Sequence, residues 1–249
     1  MLISFFEEFP TPENLRKLKL VTWPTKLYLA APSLQEFMRI KSGIRNKNVR
    51  EFVYWPILQK KEGYWISPFS TRAALKRIFR ELEGTKVPVM LDLELPTSRN
   101  PLLYLTQWGN FRKNKILISY FIQNYSGDIY TAEYFPKGIF GEAQLETLGV
   151  HYPVPKIKII KMLYHSMHHS LSDGYLIRQL ERGKKQWGKN FRVGYGTIAA
   201  GILGKESILA PEQLRHDLTL AQEKKIPEVV IFRLGGLNQE YANILKKII

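Results

Sequence analysis

Short apolar runs that read as strands alternate along this chain with segments of helical periodicity, and the alternation holds from its first residues to its last. A strand that reaches its successor through a helix must run parallel to it, because the crossover spends its length returning the chain to the same end of the sheet. The first strand is expected over residues 2–9, and Thr11-Pro12-Glu13 opens a helix to about Leu20, with a capping threonine and a proline in the first turn. Strands over 26–31 and 49–58 follow, with helices over 33–41 and 71–83. The fourth strand falls within 87–96, and the long apolar and aromatic helical region 100–124 has Gly109 as a point of interruption. Strands over 128–135 and 156–166 precede helices over 141–148 and 172–187. The glycine-rich run 191–198 makes a seventh strand and 228–234 an eighth, with helices over 211–225 and from Asn238 onward.

Eight strand–helix units in 249 residues predict an α/β fold, a single (β/α)8 TIM barrel with one domain over 1–249. A doubly wound open sheet is the competing arrangement, but no Gly-x-Gly-x-x-Gly turn follows the first strand. Parallel barrels keep their chemistry at the C-terminal ends of the strands, so acids placed there are the first candidates for function.

Three predicted strand ends carry acids: Glu7 and Glu8 on the first, Asp92 and Glu94 on the fourth, Glu133 on the fifth. Residues two apart on a strand share a face, so Asp92 and Glu94 project with Met90 and away from Leu91 and Leu93. If Glu94 and Glu133 both face inward, they supply the two carboxylates that glycoside hydrolysis uses, with crowding and burial raising one pKa above the other. The competing reading is structural: such acids cap the following helix or pair with a barrel cation. Aromatic residues accompany them, among them Trp55, Tyr134, Tyr164 and Tyr195, with Tyr64 and Trp65 in a loop. Flat rings at a mouth suit sugar binding, and they equally suit barrel packing. Substrate contacts are therefore expected from Glu7, Glu8, Trp55, Tyr134, Tyr164, Tyr195 and Arg233.

The net charge of +15 raises the question of an anionic partner, although the basic residues are spread over predicted outer helices, as solvated faces would have them. A lysine-rich, cysteine-free surface also suits a thermophile. Cysteine is absent, which removes disulfides and thiolate chemistry. Residues 1–10 lack a basic leader and carry Glu7 and Glu8, and no segment is long and apolar enough to span a membrane, so a cytoplasmic location is expected. The turn Arg233-Leu-Gly-Gly-Leu-Asn238 resembles the phosphate sites built after the last barrel strands, with a tight βα turn in which Arg233 pairs a barrel acid as the alternative. His165 and His168 fall near the sixth strand end, but their spacing is not a strong metal signature, and neither a metal nor a cofactor is expected.

Asp92-Leu-Glu94 resembles the end of the D-x-x-D-x-D-x-E signature of family 18 glycoside hydrolases, the chitinase-like barrels, and Met162-Leu-Tyr164 resembles their sixth-strand M-x-Y. Val87 and Met90 occupy the positions of the two earlier aspartates, and His165 stands where the family usually has aspartate. The resemblance implies Glu94 as general acid, Asp92 steadying a substrate N-acetyl group as it attacks, and Tyr164 holding that group. The leading expectation is a glycosidase-like hydrolase acting on an oligosaccharide. Two others stand beside it: an isomerase, aldolase or phosphodiesterase acting on a phosphorylated small molecule, and a barrel that binds sugar or nucleic acid without turnover.

Overall fold

The computed structural model describes residues 1–96, 100–135, 141–167 and 171–249. Eight parallel strands close in chain order: β1 (Leu2–Glu7), β2 (Thr25–Ala31), β3 (Val49–Pro56), β4 (Val89–Leu93), β5 (Ile129–Tyr134), β6 (Lys158–Met162), β7 (Phe191–Gly196) and β8 (Glu228–Phe232). The ring is completed by β8 pairing with β1, Phe6 opposite Phe232, so no strand edge is left open. The expected (β/α)8 barrel is the fold observed.

The helices surround the barrel: α1 (Pro12–Arg16), α2 (Leu34–Gly43), α3 (Arg72–Leu82), α4 (Leu102–Thr106), α5 (Phe111–Asn124), α6 (Gly141–Thr147), α7 (Asp173–Trp187), α8 (Pro211–Glu223) and α9 (Gln239–Ile248). Their starts are set by short polar side chains: Thr11, Ser33, Ser172 and Asn238 each accept a backbone N–H from the first turn. The long helical region after β4 does break beside Gly109, where a 3₁₀ turn, Trp108–Asn110, separates α4 from α5. The helix expected over 12–20 tightens after Arg16 into a 3₁₀ turn. None of the helices among the described residues is long and apolar enough to cross a membrane.

Strand alternation divides the core in two. Phe5, Leu27, Leu29, Leu91, Leu93 and Ile159 face outward and pack under the helices. Phe6, Tyr28, Trp55, Met90, Tyr130 and Val230 face inward and fill the barrel. The inner rings interlock edge to face: Tyr28 against Tyr130 at 5.3 Å and Phe6 against Trp55 at 5.7 Å.

Beneath these rings, at the N-terminal ends of the strands, the barrel is sealed by a charged network. Glu228 accepts from Ser4 Oγ at 2.7 Å, from the Tyr28 hydroxyl at 3.0 Å and from Arg192 Nε at 3.0 Å, and lies 3.3 Å from Lys26 Nζ. Lys26 also reaches Glu51 at 3.1 Å, and the Tyr130 ring lies under the cations of Lys26, Lys158 and Arg192. This floor leaves the opposite end as the open one.

Candidate active site

β4 ends at Leu93, so Asp92 sits on its last turn of pleat and Glu94 just beyond it, at the rim. Met90 fills the interior directly below, which confirms the inward phase of the even-numbered positions. β1 likewise ends at Glu7 and leaves Glu8 on the inward phase. These three acids line one cavity of about 110 Å³ at the C-terminal mouth, together with Trp55, Trp65, Tyr134, Tyr164 and Phe232. A fourth acid, Glu206, enters it from the loop after β7.

Asp92 and Glu94 form a mutually hydrogen-bonded pair. Burial, then the charges of Glu94 and Glu8, hold the Asp92 carboxyl well above its ordinary range. Burial pushes Glu94 up to about 7, against the pull of the Tyr134 hydroxyl, which donates to Glu94 Oε2 at 3.0 Å, and of Asp92. Two carboxyls in contact in a poorly solvated space do not both ionise, so the pair carries a proton at neutral pH. Tyr164 stands close enough to Asp92, Glu94 and Glu8 for their charges to push its hydroxyl further up, after burial has done most of it.

Glu8 is fixed across the mouth. The Tyr64 hydroxyl donates to its Oε1 at 2.7 Å and the Ile202 N–H to its Oε2 at 2.9 Å, yet burial still lifts its pKa to about 7. Asp92 is 4% exposed, and the Trp55 indole N–H faces its carboxyl and favours its charged form.

The remaining sequence candidates lie elsewhere. Glu133 is opposite Leu93 in the β4–β5 register and shares its outward phase, so it does not meet Glu94. It is buried under the helices, accepting from Thr131 Oγ1 at 2.7 Å and Lys161 Nζ at 2.8 Å and contacting His151 Nδ1 at 2.7 Å. Burial alone pushes its carboxyl up, but Lys161 and His151 outweigh that and leave it lowered. Tyr195 also faces outward, buried toward Asp217 of α8.

Glu7 faces away from the mouth and accepts from Arg233 Nη1 at 3.1 Å, Gly235 N at 2.6 Å, Asn14 Nδ2 and Phe9 N. Those are the donors a phosphate at this turn needs, and an internal carboxylate already holds them. His165 contacts Asp217 Oδ1 at 3.2 Å on the helix side, and His168 lies outside the described residues.

Sequence reasoning missed Glu206. It is held by the N–H groups of Leu203 and Lys205 at 3.1 and 2.9 Å, in a loop with no periodicity to place it. Its one available signal was being the only acid between β7 and α8.

No protein-family model matches the chain, and no curated protein matches its sequence. Its fold is similar to those of several solved structures. A GH18 chitinase from Pseudoalteromonas aurantia superimposes with a TM-score of 0.57 at 8% identity, covering 100% of both chains. The Bacillus cereus spore cortex-lytic enzyme SleL gives 0.58 at 9% identity, over 99% of this chain and 74% of that one. The glycoside hydrolase domain of PgaB (BpsB) from Bordetella bronchiseptica gives 0.54 at 11% identity, over 97% and 95%. At such identities the likeness is one of fold.

Proposed function

We propose that this protein is a glycoside hydrolase whose general acid is Glu94. The observation that carries the reading is the Asp92–Glu94 pair, proton-sharing and open to a ring-lined cavity at the C-terminal mouth. Cleaving a glycosidic bond requires a proton for the leaving oxygen, and an acid with a pKa of about 7 still holds one at neutral pH where an ordinary glutamate does not. Tyr134 orients Glu94 through its hydroxyl. Asp92, on the same strand face, donates a hydrogen bond to Glu94, so that once Glu94 has given its proton to the leaving oxygen the pair shares one remaining proton and one negative charge; beside Glu94, it is also placed to steady a substrate amide. Tyr164, whose ring lines the same cavity, fits the role of holding that group. Fold similarity to glycoside hydrolases supports the chemistry without naming the sugar.

Hydrolysis of fluorogenic N-acetylglucosamine oligomers tests the assignment. Glu94→Gln should lower kcat by about 10²–10⁴-fold with the fold intact by circular dichroism. Because the acid works only while protonated, wild-type activity should fall as pH rises through about 7. Undiminished turnover by Glu94→Gln removes Glu94 from the role.

A further inference from the structure

Among the described residues nine large apolar side chains are exposed, and five of them, Leu102, Leu105, Trp108, Ile116 and Tyr120, fall on α4, the 3₁₀ turn after it and α5. Single exposed apolar residues are ordinary, but a cluster of this kind marks a surface that meets something. Leu105 is 77% exposed and Trp108 74%, whereas Trp23, Trp55 and Trp65 are all buried. Spacings of three and four, with Arg112 between Trp108 and Ile116, carry the five along one stripe of the helical path. The opposite stripe is the packed one. Tyr104 of α4 and Phe111 of α5 both lie against Phe69, at 4.6 and 5.0 Å, and Ile118 and Ile122 are buried farther along α5.

The charge along this stripe has one sign. No aspartate or glutamate occurs between Glu94 and Asp128. Arg112 and Lys113 are exposed in the first turn of α5, which holds no acid. A helix N-terminus carries partial positive charge and favours acids, so two cations in that turn cost the helix stability and their use lies outside it. Farther along, Tyr120 lines a groove shared with α3, where Lys76 and Arg80 outnumber the one acid, Glu83. Apolar side chains and cations therefore share one outward face, a combination that complements a surface both apolar and anionic.

We infer that this face docks the protein on an anionic lipid bilayer, with Leu102, Leu105 and Trp108 entering the headgroup region and Arg112 and Lys113 on the lipid phosphates. The leucines supply apolar insertion, an indole ring favours the membrane–water boundary, and each cation near an anionic surface adds attraction. A second copy of the chain fits less well, because a two-fold contact sets the same cations against themselves with no acid on the stripe to answer them. The inference requires neither a membrane-crossing helix nor the glycoside hydrolase reading. Because α4 follows β4, docking brings the barrel mouth beside the bilayer.

Co-sedimentation with vesicles tests this. The wild-type protein should pellet with equimolar phosphatidylglycerol–phosphatidylcholine vesicles and bind pure phosphatidylcholine about tenfold or more weakly, with the difference shrinking in high salt. Trp108→Ala and Leu105→Ser, each checked for native far-ultraviolet circular dichroism, should each lower affinity for the mixed vesicles about tenfold. A net charge of +15 draws the whole body toward any anionic surface, so the control is a matched loss of charge elsewhere. Arg112→Gln with Lys113→Gln should weaken binding several-fold more than Lys246→Gln with Lys247→Gln, an exposed pair on α9. Binding to neither vesicle, equal binding to both, apolar variants that bind like the wild type, or equal losses from the two charge pairs overturns the docking face. So does a wild-type dimer that Trp108→Ala dissociates, which would give the face to a second copy.

Discussion

The floor and the mouth of this barrel both gather charged side chains at its two ends, the floor mainly from β2, β3, β6, β7 and β8 and the mouth from the ends of β1 and β4 and the loop after β7, yet they are composed in opposite ways. At the floor Glu228 meets Arg192 and Lys26, Glu51 meets Lys26 and Tyr130, and Asp128 meets Lys158 at 2.7 Å. At the mouth Glu8, Asp92, Glu94 and Glu206 share a cavity that no lysine or arginine lines among the described residues. A satisfied network holds strands in register and has nothing left to offer a ligand. Buried acids held by neutral donors, with no lysine or arginine beside them in the cavity, cost the fold free energy and have shifted pKa values that chemistry can use. The difference locates function at one end of a barrel whose fold alone supports many chemistries.

The sharpest way to break this comparison is at Glu228. Replacing it with glutamine removes the charge on which Arg192, Lys26, Tyr28 and Ser4 converge, and leaves a buried guanidinium without its carboxylate. The expected loss is about 3–5 kcal/mol by urea denaturation. A loss below about 1 kcal/mol would mean that the floor is no more than surface-like pairing.

How far the sequence reveals these two ends depends on what the physics writes locally. The order of strands and helices is legible because hydrophobic periodicity and helix caps are properties of short stretches, and the Asp92–Glu94 face is legible because alternation within one strand is fixed. The phase of one strand against the next is not. Both faces of a parallel strand are buried, so Tyr130, Thr131, Ala132 and Glu133 are all inside and hydrophobicity does not mark which of them see the barrel. Only the register, Leu93 beside Glu133, turns that carboxylate outward to Lys161 and His151. The outward phase of Tyr195 is hidden in the sequence for the same reason. Both readings of Arg233 stay open in the sequence because its partner Glu7 lies at the other end of the chain, and Glu206 carries no signal there because nothing periodic holds a loop acid.

Asp92 gives the comparison its sign. A carboxyl whose folded pKa lies above its unfolded value binds more protons when folded, so its contribution to stability falls as pH rises from the ordinary carboxylate range toward the raised value. Burial, Glu94 and Glu8 all push Asp92 that way. Asp92→Asn should therefore stabilise the protein at pH 8, and do so less at pH 5. The measurement is urea denaturation at both values. Destabilisation at pH 8 would show that Asp92 is held as a structural acid, like those at the floor, and would dissolve the distinction between the two ends.

The smallest expected effect isolates why the floor matters. Lys224 Nζ lies 2.7 Å from Glu181 Oε1, closer than Arg192 Nε lies to Glu228 Oε2 at 3.0 Å, but the Glu181 side chain is 55% exposed where that of Glu228 is 3% exposed. Water competes for both partners of the outer pair, and ordering two long side chains offsets most of what the contact supplies. Glu181→Gln should change stability by no more than about 0.5 kcal/mol, with the remaining effect disappearing in high salt. If the exposed pair proved as costly to break as Glu228, proximity rather than enclosure would set the worth of a charge pair here. The uncompensated acids of the mouth would then carry little stored energy for a ligand to release.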